Sequence, residues 1–450
     1  MDYPSDPTVG LVGGKFTDGD PAGAVPASRD PAAWANLVSD ELINVLVAAG
    51  MVPDEADNGQ VADALLSMFA PIPGNATQIF RVATAVGASD ATPLAQVQSL
   101  LSGIDNPYGF SKLDSGSVAF TKTAAGTISI KAGTKIMVAG VAVNIAVATA
   151  VVMCALTAGT DYAIYACTDG TVRADASFTA PTGYTTANSR MIGGFHYGLV
   201  APGTTVAGGS FAATGNGMIW TQADVDAIAG INAFSLWDLK WRPLCDPKGM
   251  ALVSGRTWVD IYFCGTNHTT NGTSKAGTDI ASGTVLPKKP LEFGGNGIVT
   301  YATPKWWDFV EIAAAYKKRL LREQEFVLSA FGVTENQSID STVATYPTTQ
   351  RNAGYTSKYG LEQASGHHWT WGDDSSAYQD VTGAVSYKDV NGGRGQVYTF
   401  GTYGLVRVIL GGDRTSGVYS GSRCSRWSHY PWHVIWDIGL RAACDHLALV

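Results

Sequence analysis

The chain has 450 residues, more than one hydrophobic core usually supports, so several domains are expected. It is 46% apolar, with 52 glycines and only 15% charged residues, against the ~25% of an average protein. That balance favours extended β-structure with many turns over helical bundles. A net charge of −8 provides no basic footprint for nucleic acid, which excludes DNA and RNA as expected partners.

The opening MDYPSDPTVG lacks a basic segment followed by an apolar stretch, so no secretory signal is expected. DGDPAGAVPASRDP then reads as a run of turn formers. A helix is expected to follow, with Asp30 as its cap, Pro31 at the first position, an apolar stripe of Trp34, Leu37, Val38, Leu42, Val45 and Leu46, and Gly50 at its end. A shorter helix carries Val61, Leu65, Met68 and Phe69. Residues 1–69 thus form a small helical attachment module whose thin core is expected to be completed by self-association or docking. Residues 70–108 read as a linker.

Residues 109–215 are expected to be a β-rich shaft domain, with TISIKAG, MVAGVAVNIAV and YAIYACTDGTV separated by Gly, Thr and Asp turns and no repeat to suggest a solenoid. Ile136 to Thr160 carries no charge over 25 residues, long enough to span a bilayer. Val141, Val143, Ile145, Val147 and Val151 nevertheless recur at period two, interrupted by Gly140 and Asn144, so strands are expected and membrane insertion is not. From about 216 tryptophans become dense. One long helix is expected from Thr303-Pro304 to Gly332, burying Phe309, Ile312, Tyr316, Leu320, Val327 and Phe331. Residues 337–394 read as long loops on a small α+β scaffold.

Six scattered cysteines show no CxxC pair or metal-ligand spacing and read as small buried hydrophobes, with a Cys424–Cys444 disulfide as the alternative. His367-His368 beside Trp369 and Trp371 suits loop packing better than a metal or sugar site, and Asp373-Asp374 lacks the spacing of a calcium loop. No metal or cofactor is expected. Asp445-His446 beside Cys444 is not read as catalytic.

The carboxyl-terminal segment is where function concentrates. Between Tyr419 and Ile438, five aromatics stand in twenty residues (Tyr419, Trp427, Tyr430, Trp432 and Trp436), interleaved with Arg426, His429 and His433. Tyr, Trp and Arg supply much of the binding energy at interfaces, and no single period runs through RCSRWSHYPWHVIWD, so a recognition surface and a core both remain open readings.

GSRCSRW, the Pro431-Trp432 step, IGLRAACDHL and the preceding Gly411-Gly412 resemble the variable region of proteins diversified by retroelements, the phage tropism determinants among them. GLEQASGHHWTWGD resembles the same family's lectin scaffold, and GLVGGKFTDGDPAGAVPASRDPAAWANLVSDELINVLVAAGMVPDEADN resembles phage and prophage tail fibres. Residues 70–215 are covered by neither resemblance. The family implies a C-type-lectin-like α+β domain, here 216–450, on a homotrimeric tail fibre. Such a fibre binds a host surface receptor, protein or glycan, and contacts other tail or baseplate proteins through its amino terminus. It also implies adenine-directed mutagenesis, with variable positions at Asp413, Thr415, Ser416, Gly417, Tyr419, Arg426, Ser428, His429, His433, Ile435 and Asp437, and less firmly Ile438, inside a region of about 411–438. An AAC codon mutated at its adenines cannot yield Trp, Lys, Gln, Glu or Met, and none of these occurs at those positions. Trp427, Trp432 and Trp436 then count as scaffold. So do Arg423 and Arg441, which are expected to hold loops through backbone carbonyls, while Leu440 and Ala442 depart from the family's smaller residues. Cys424 and Cys444 imitate the functional cysteines of a formylglycine-generating branch of the fold, a reading set aside here. An enzyme alternative, a polysaccharide depolymerase, needs two carboxylates flanking a cleft, and this segment offers only Asp413 and Asp437.

Overall fold

The computed structural model describes residues 6–68, 109–205, 220–339, 348–377, 385–388, 397–400 and 405–447. The expected linker and Phe69 lie outside them. The chain divides into two compact units, residues 1–101 and 102–450.

In the first unit, α1 (Ala32–Ala48) is followed by α2 (Gln60–Met68). Asp30 does not cap α1. The cap position is Pro31, and no side chain serves it. Instead Pro31 is extended, and its carbonyl accepts from the amides of Trp34 and Ala35. Gln60, at the start of α2, clamps the preceding turn by donating to the Val52 carbonyl at 2.9 Å and accepting from the Asp54 amide at 2.8 Å. Of the predicted apolar stripe only Leu46 is fully buried, while Leu37, Leu42 and Leu65 face solvent.

The second unit begins with β1 (Phe110–Ser111), β2 (Phe120–Ala124), β3 (Thr127–Ile130), β4 (Thr134–Val138), β5 (Val141–Ile145), β6 (Thr149–Ala150), β7 (Thr160–Cys167), β8 (Val172–Asp175) and β9 (Ser189–Tyr197). Two three-stranded sheets, β1-β4-β5 and β2-β3-β6, share a core with the antiparallel sheet β10-β9-β7-β8, whose edge strand β10 (Trp237–Asp238) lies beyond residue 215. The uncharged 136–160 stretch supplies β4 to β6, with Ile136, Val138, Val143 and Ile145 directed inward at the alternation a half-buried strand requires. No helix among the described residues is long and apolar enough to cross a membrane.

The remainder adds α3 (Gln222–Ile228), β11 (Met250–Val253), β12 (Thr257–Asp260), α4 (His268–Asn271), α5 (Trp306–Ala315), β13 (Arg319–Leu320), α6 (Glu323–Ser329), β14 (Trp369–Ala377), the hairpin β15 (Val385–Lys388) with β16 (Val397–Phe400), β17 (Leu405–Leu410), β18 (Ser425–His429), β19 (Ile438–Gly439) and β20 (Ala442–Asp445). One sheet runs β11-β12-β20-β13 and a second β18-β17-β14-β19.

The single helix expected over 303–332 is two helices. α5 ends where Lys317 adopts φ 57° and Lys318 turns inward, fully buried, to donate to Asp260 at 2.6 Å and Thr273 at 2.8 Å. Arg319-Leu320 then pairs with β20 before α6 begins, so Phe326 rather than Val327 enters the core and Phe331 is left largely exposed. Local helix propensity in KKRLLREQE is overridden by a buried ion pair and a sheet partner, neither of which has a local sequence signature.

Candidate functional site

The carboxyl-terminal segment is built outward from β17. Leu405–Leu410 is buried on its Val406, Val408, Ile409 and Leu410 side chains and pairs on both edges, with β14 and with β18. It ends at Gly411 and Gly412, with φ of 98° and 83°. A side chain at 412 would collide with Ser420, so the chain can reverse here only as glycine. The loop 413–424 follows and returns as β18. In β18 strand alternation is visible after all: Arg426 and Ser428 face solvent, joined by an Arg426 Nε to Ser428 Oγ bond of 2.9 Å, whereas Trp427 packs inward.

The backbone of 411–437 is fastened from outside the segment. Trp306 N donates to the Pro431 carbonyl (3.0 Å), Gly283 N to that of Ile435 (2.9 Å), Trp369 N to that of Asp437 (2.9 Å), and Asn336 N to that of Ser420 (2.9 Å). Arg414 N donates to the His367 carbonyl (3.1 Å), Gly417 N to Ser338 Oγ (3.0 Å) and Ser422 N to Glu335 (2.9 Å). Each such bond contributes on the order of 1 kcal/mol net. None depends on which side chain occupies an expected variable position.

The expected variable residues divide by burial. Tyr419 is 77% exposed, and Thr415, Arg426 and Ser428 are also exposed. Ser416, Gly417, His433, Ile435 and Asp437 are half-buried. Asp413 at 4% and His429 at 6% are buried, and Ile438 lies wholly inside β19. An open face holding all of Tyr419, Arg426, His429, His433 and Ile435 is therefore not what a single chain presents. The scaffold set is likewise mixed. Trp436 is 39% exposed, under the Arg414 guanidinium at 4.5 Å, and Trp432 stacks on Tyr430 at 5.0 Å. Arg423 is exposed and makes no hydrogen bond among the described residues. Carbonyl binding falls to Arg441 alone, fully buried, which donates to the carbonyls of Asp260, Ile261, Glu362 and Gln363 and lies 4.5 Å from the Phe263 ring.

Two interactions organise the buried members. Asp413 accepts from Thr415 N (3.0 Å), Thr415 Oγ1 (3.1 Å) and Ser416 Oγ (2.6 Å), and the Asp437 carboxyl stands near it. Burial and the neighbouring Asp413 carboxylate push the Asp437 carboxyl up to about 7, while hydrogen bonds hold Asp413 low. His429 stacks on His433 at 5.2 Å, and His433 on Tyr430 at 4.7 Å. Burial, with Arg426 and His433 nearby, lowers His429 to about 4, and His433 is lowered by burial and Arg426, so this stack is neutral at pH 7.

The Asp413–Asp437 pair predicts a pH signature. A carboxyl whose folded pKa is raised from 3.8 to about 7 makes the folded state bind a proton the unfolded state releases, so its stabilisation is complete below pH 4 and lost as pH rises toward 7. Asp437→Asn keeps the size of the side chain without titrating. The melting temperature of the wild type minus that of D437N is expected to fall between pH 5 and pH 8, and an equal difference at both would refute the raised carboxyl.

Residues distant in sequence complete the surface. A cleft of about 820 Å³ lies between Asn336, Ser338, Asn352 and Tyr355 on one side and Arg414, Thr415 and Gly417 on the other. A second, of about 770 Å³, sets Leu328 and Phe331 of the α6 region against Tyr419 and Arg423. Nothing local in the sequence marks 283, 328–338 or 352–355 as its frame. His367 and His368 are buried and bonded Nδ1 to Nδ1 at 2.9 Å, and Asp374 accepts the first amide of α6 at 2.6 Å. No cluster of three metal-ligating side chains occurs among the described residues.

A loop surface of exposed side chains on a backbone pinned from elsewhere defines a binding protein of the display type. The comparisons make this particular. The family pattern described as the Mtd second domain matches residues 118–221, nearly all of it in the 70–215 stretch for which the sequence had offered no resemblance. A tail fiber receptor-binding protein of Bordetella phage BPP-1 is 45% identical over 349 residues, covering 76% of this chain and 85% of the relative. Among solved structures, the Major Tropism Determinant M1 variant superposes with a TM-score of 0.67 at 43% identity, and the U1 variant with 0.66 at 44%, each covering 76% of this chain and 86% of theirs. The chain belongs to the major tropism determinant family of phage tail-fibre receptor-binding proteins.

Proposed function

We propose that this protein is the receptor-binding tip of a phage tail fibre, an adhesin that recognises a host cell-surface ligand through the 413–437 surface. The observation that carries this reading is the separation of roles within the segment: main-chain bonds with Trp306, Gly283, Trp369, Asn336 and His367 hold its course, while the side chains of Tyr419, Arg426 and Ser428 face solvent and bond to no part of that frame. Side chains at those three positions can be exchanged without altering what holds the loop, which is the property retroelement diversification requires. Asp413, His429 and Asp437 act as inner positions that shape the loop, and Trp436 with Arg414 adds a rim to the binding face.

Residues 216–450 are read as the C-type-lectin-like head, 109–215 as the shaft and 1–69 as the attachment module, on a homotrimeric fibre of the virion. The exposed Leu37, Leu42 and Leu65 of the helical module suit burial against a further copy or a tail protein. Three heads per fibre strengthen weak single contacts through avidity. Hydrolysis is disfavoured because Asp413 is buried and committed to Thr415 and Ser416, which leaves 413–437 without two open carboxylates to flank a sugar.

Replacing Tyr419, Arg426 and Ser428 together by other residues reachable from AAC tests the reading. Adsorption of the purified protein to cells that bind the wild type is expected to drop at least tenfold, since exposed aromatic and arginine contacts carry about 2 kcal/mol or more each. The melting temperature should stay within roughly 3 °C. Unchanged adsorption, or an unfolded product, would overturn it.

A further inference from the structure

We propose that Cys245 and Cys444 form a cross-strand dithiol that closes to an intrachain disulfide when the protein meets a small-molecule disulfide oxidant. This site is separate from the 413–437 surface and does not rest on its reading.

The register places the two cysteines opposite one another. Residues 242–245 run antiparallel to the final strand, with Pro243 bridged to His446. Leu244 N donates to the Asp445 carbonyl at 3.1 Å, and Leu447 N to that of Arg242 at 2.8 Å. These two bonds flank Pro243 and His446, making them a non-hydrogen-bonded pair. Two residues along, on the same face, the register sets Cys245 against Cys444. Facing residues at such positions have Cα atoms about 4.5 Å apart, within the range a disulfide spans. Both side chains are buried in one cluster with Trp237, Met250, Leu252 and Trp258. Both are free thiols, and their bonds lead to soft or weak acceptors: Cys245 Sγ to Met250 Sδ and the Asp246 carbonyl, each at 3.5 Å, and Cys444 Sγ to the Lys317 carbonyl at 3.7 Å. The alternative pairing that the sequence offered for Cys444 was Cys424. That residue packs instead against the α5 cluster, among a different set of side chains.

The chemistry has a direction. The adjoining Cys245 and the nearby Lys318 charge lower the Cys444 thiol, whereas Cys245 is raised, so Cys444 is the first nucleophile. Its thiolate attacks one sulfur of the oxidant, releasing one small thiol and leaving a mixed disulfide. Cys245 then gives up its proton and attacks the Cys444 sulfur, releasing the second small thiol. Two protein thiols are oxidised and one external disulfide is reduced to two thiols. Leu244 and Asp445, the alternate residues of the same two segments, are exposed, so brief fraying of this short pairing opens the thiols to a small reagent. The bond would tie the last strand to residues nearly 200 positions earlier in the chain, a loop of the kind whose closure most restricts the unfolded state.

The test is to incubate the full chain with oxidised glutathione at pH 8, then unfold it, alkylate it and map its peptides. Alkylatable thiols should fall from six to four, with one linked peptide pair containing Cys245 and Cys444. The melting temperature should rise by about 5 °C and return on reduction. Cys245→Ala and Cys444→Ala should each abolish the linkage and the rise. If either variant fails to fold, the wild-type map alone decides. Six alkylated thiols, glutathione adducts without an internal link, or a bond between other cysteines would each overturn the proposal.

Discussion

Arg441→Lys is expected to cost about 3–5 kcal/mol of stability, lowering the melting temperature by roughly 10 °C, and Arg441→Ala to leave the second unit unfolded at 37 °C. Arg441 lies between β19 and β20 and fans its guanidinium across carbonyls of two segments, Asp260-Ile261 at the end of β12 and Glu362-Gln363 ahead of β14. It thereby ties the end of β12 to the segment leading into β14 through a single cation. Burial lowers its pKa only to about 10, so it remains charged at neutral pH, and its Nη1 and Nη2 each serve one of the two segments. An ammonium cannot reproduce that fork, and each carbonyl it abandons remains in the core without a donor. Scanning calorimetry of the wild type and R441K measures the effect directly. A loss under about 1 kcal/mol would mean that these two segments are held by side-chain packing alone. Binding assayed well below the lowered melting point should survive in R441K, because no receptor-facing side chain changes.

Arg441 also marks how far the sequence could be read. Its role as a carbonyl-binding scaffold residue was legible from the resemblance carried by IGLRAACDHL, yet the same reasoning assigned that role to Arg423, which is exposed. Motif and residue type were the same in kind for both. What separates them is burial, set by strands β12 and β14 far away in the chain. The strands of 110–197 were legible because alternation is local, and Ile136, Val138, Val143 and Ile145 obey it. The break in the 303–332 helix was not, because the reason for it is Asp260, more than 50 residues before Lys318. Burial within 413–437 follows the same rule. Tyr419, Arg426 and Ser428 are exposed, while Asp413 and His429 are inner residues held by contacts invisible in a one-dimensional pattern. Alternation in SRWSH is real but only five residues long, too short to stand out beside the irregular loops flanking it.

Gly283→Ala is expected to weaken receptor binding at least tenfold from a position that no variable side chain occupies. The Gly283 amide donates to the Ile435 carbonyl, and a Cβ on Gly283 would lie 2.5 Å from both the nitrogen and the oxygen of Ile435. Real Cβ atoms do not approach backbone so closely, so either the 280s or the 434–436 loop must move. The 280s are anchored themselves, since Ala281 N donates to the Cys264 carbonyl and Cys264 N in turn to that of Leu440, each at 2.8 Å. The loop is therefore what gives way. It carries Trp436 and with it the Arg414 contact at 4.5 Å that connects the 413–424 loop to the rest of the face. Overpacking of this kind costs on the order of 1–3 kcal/mol, read as a drop of several degrees in melting temperature. Tyr419, 77% exposed, provides the contrast: changing it is expected to alter binding without moving the melting point. Should G283A bind as the wild type does, the course of the 430–437 backbone would be irrelevant to recognition, and display would reduce to side-chain identity alone. Should it lose binding while Tyr419 variants stay fully stable, then a glycine outside 413–437 limits which loops that segment can present. Diversification would then be confined to side chains because the frame leaves the main chain no second path.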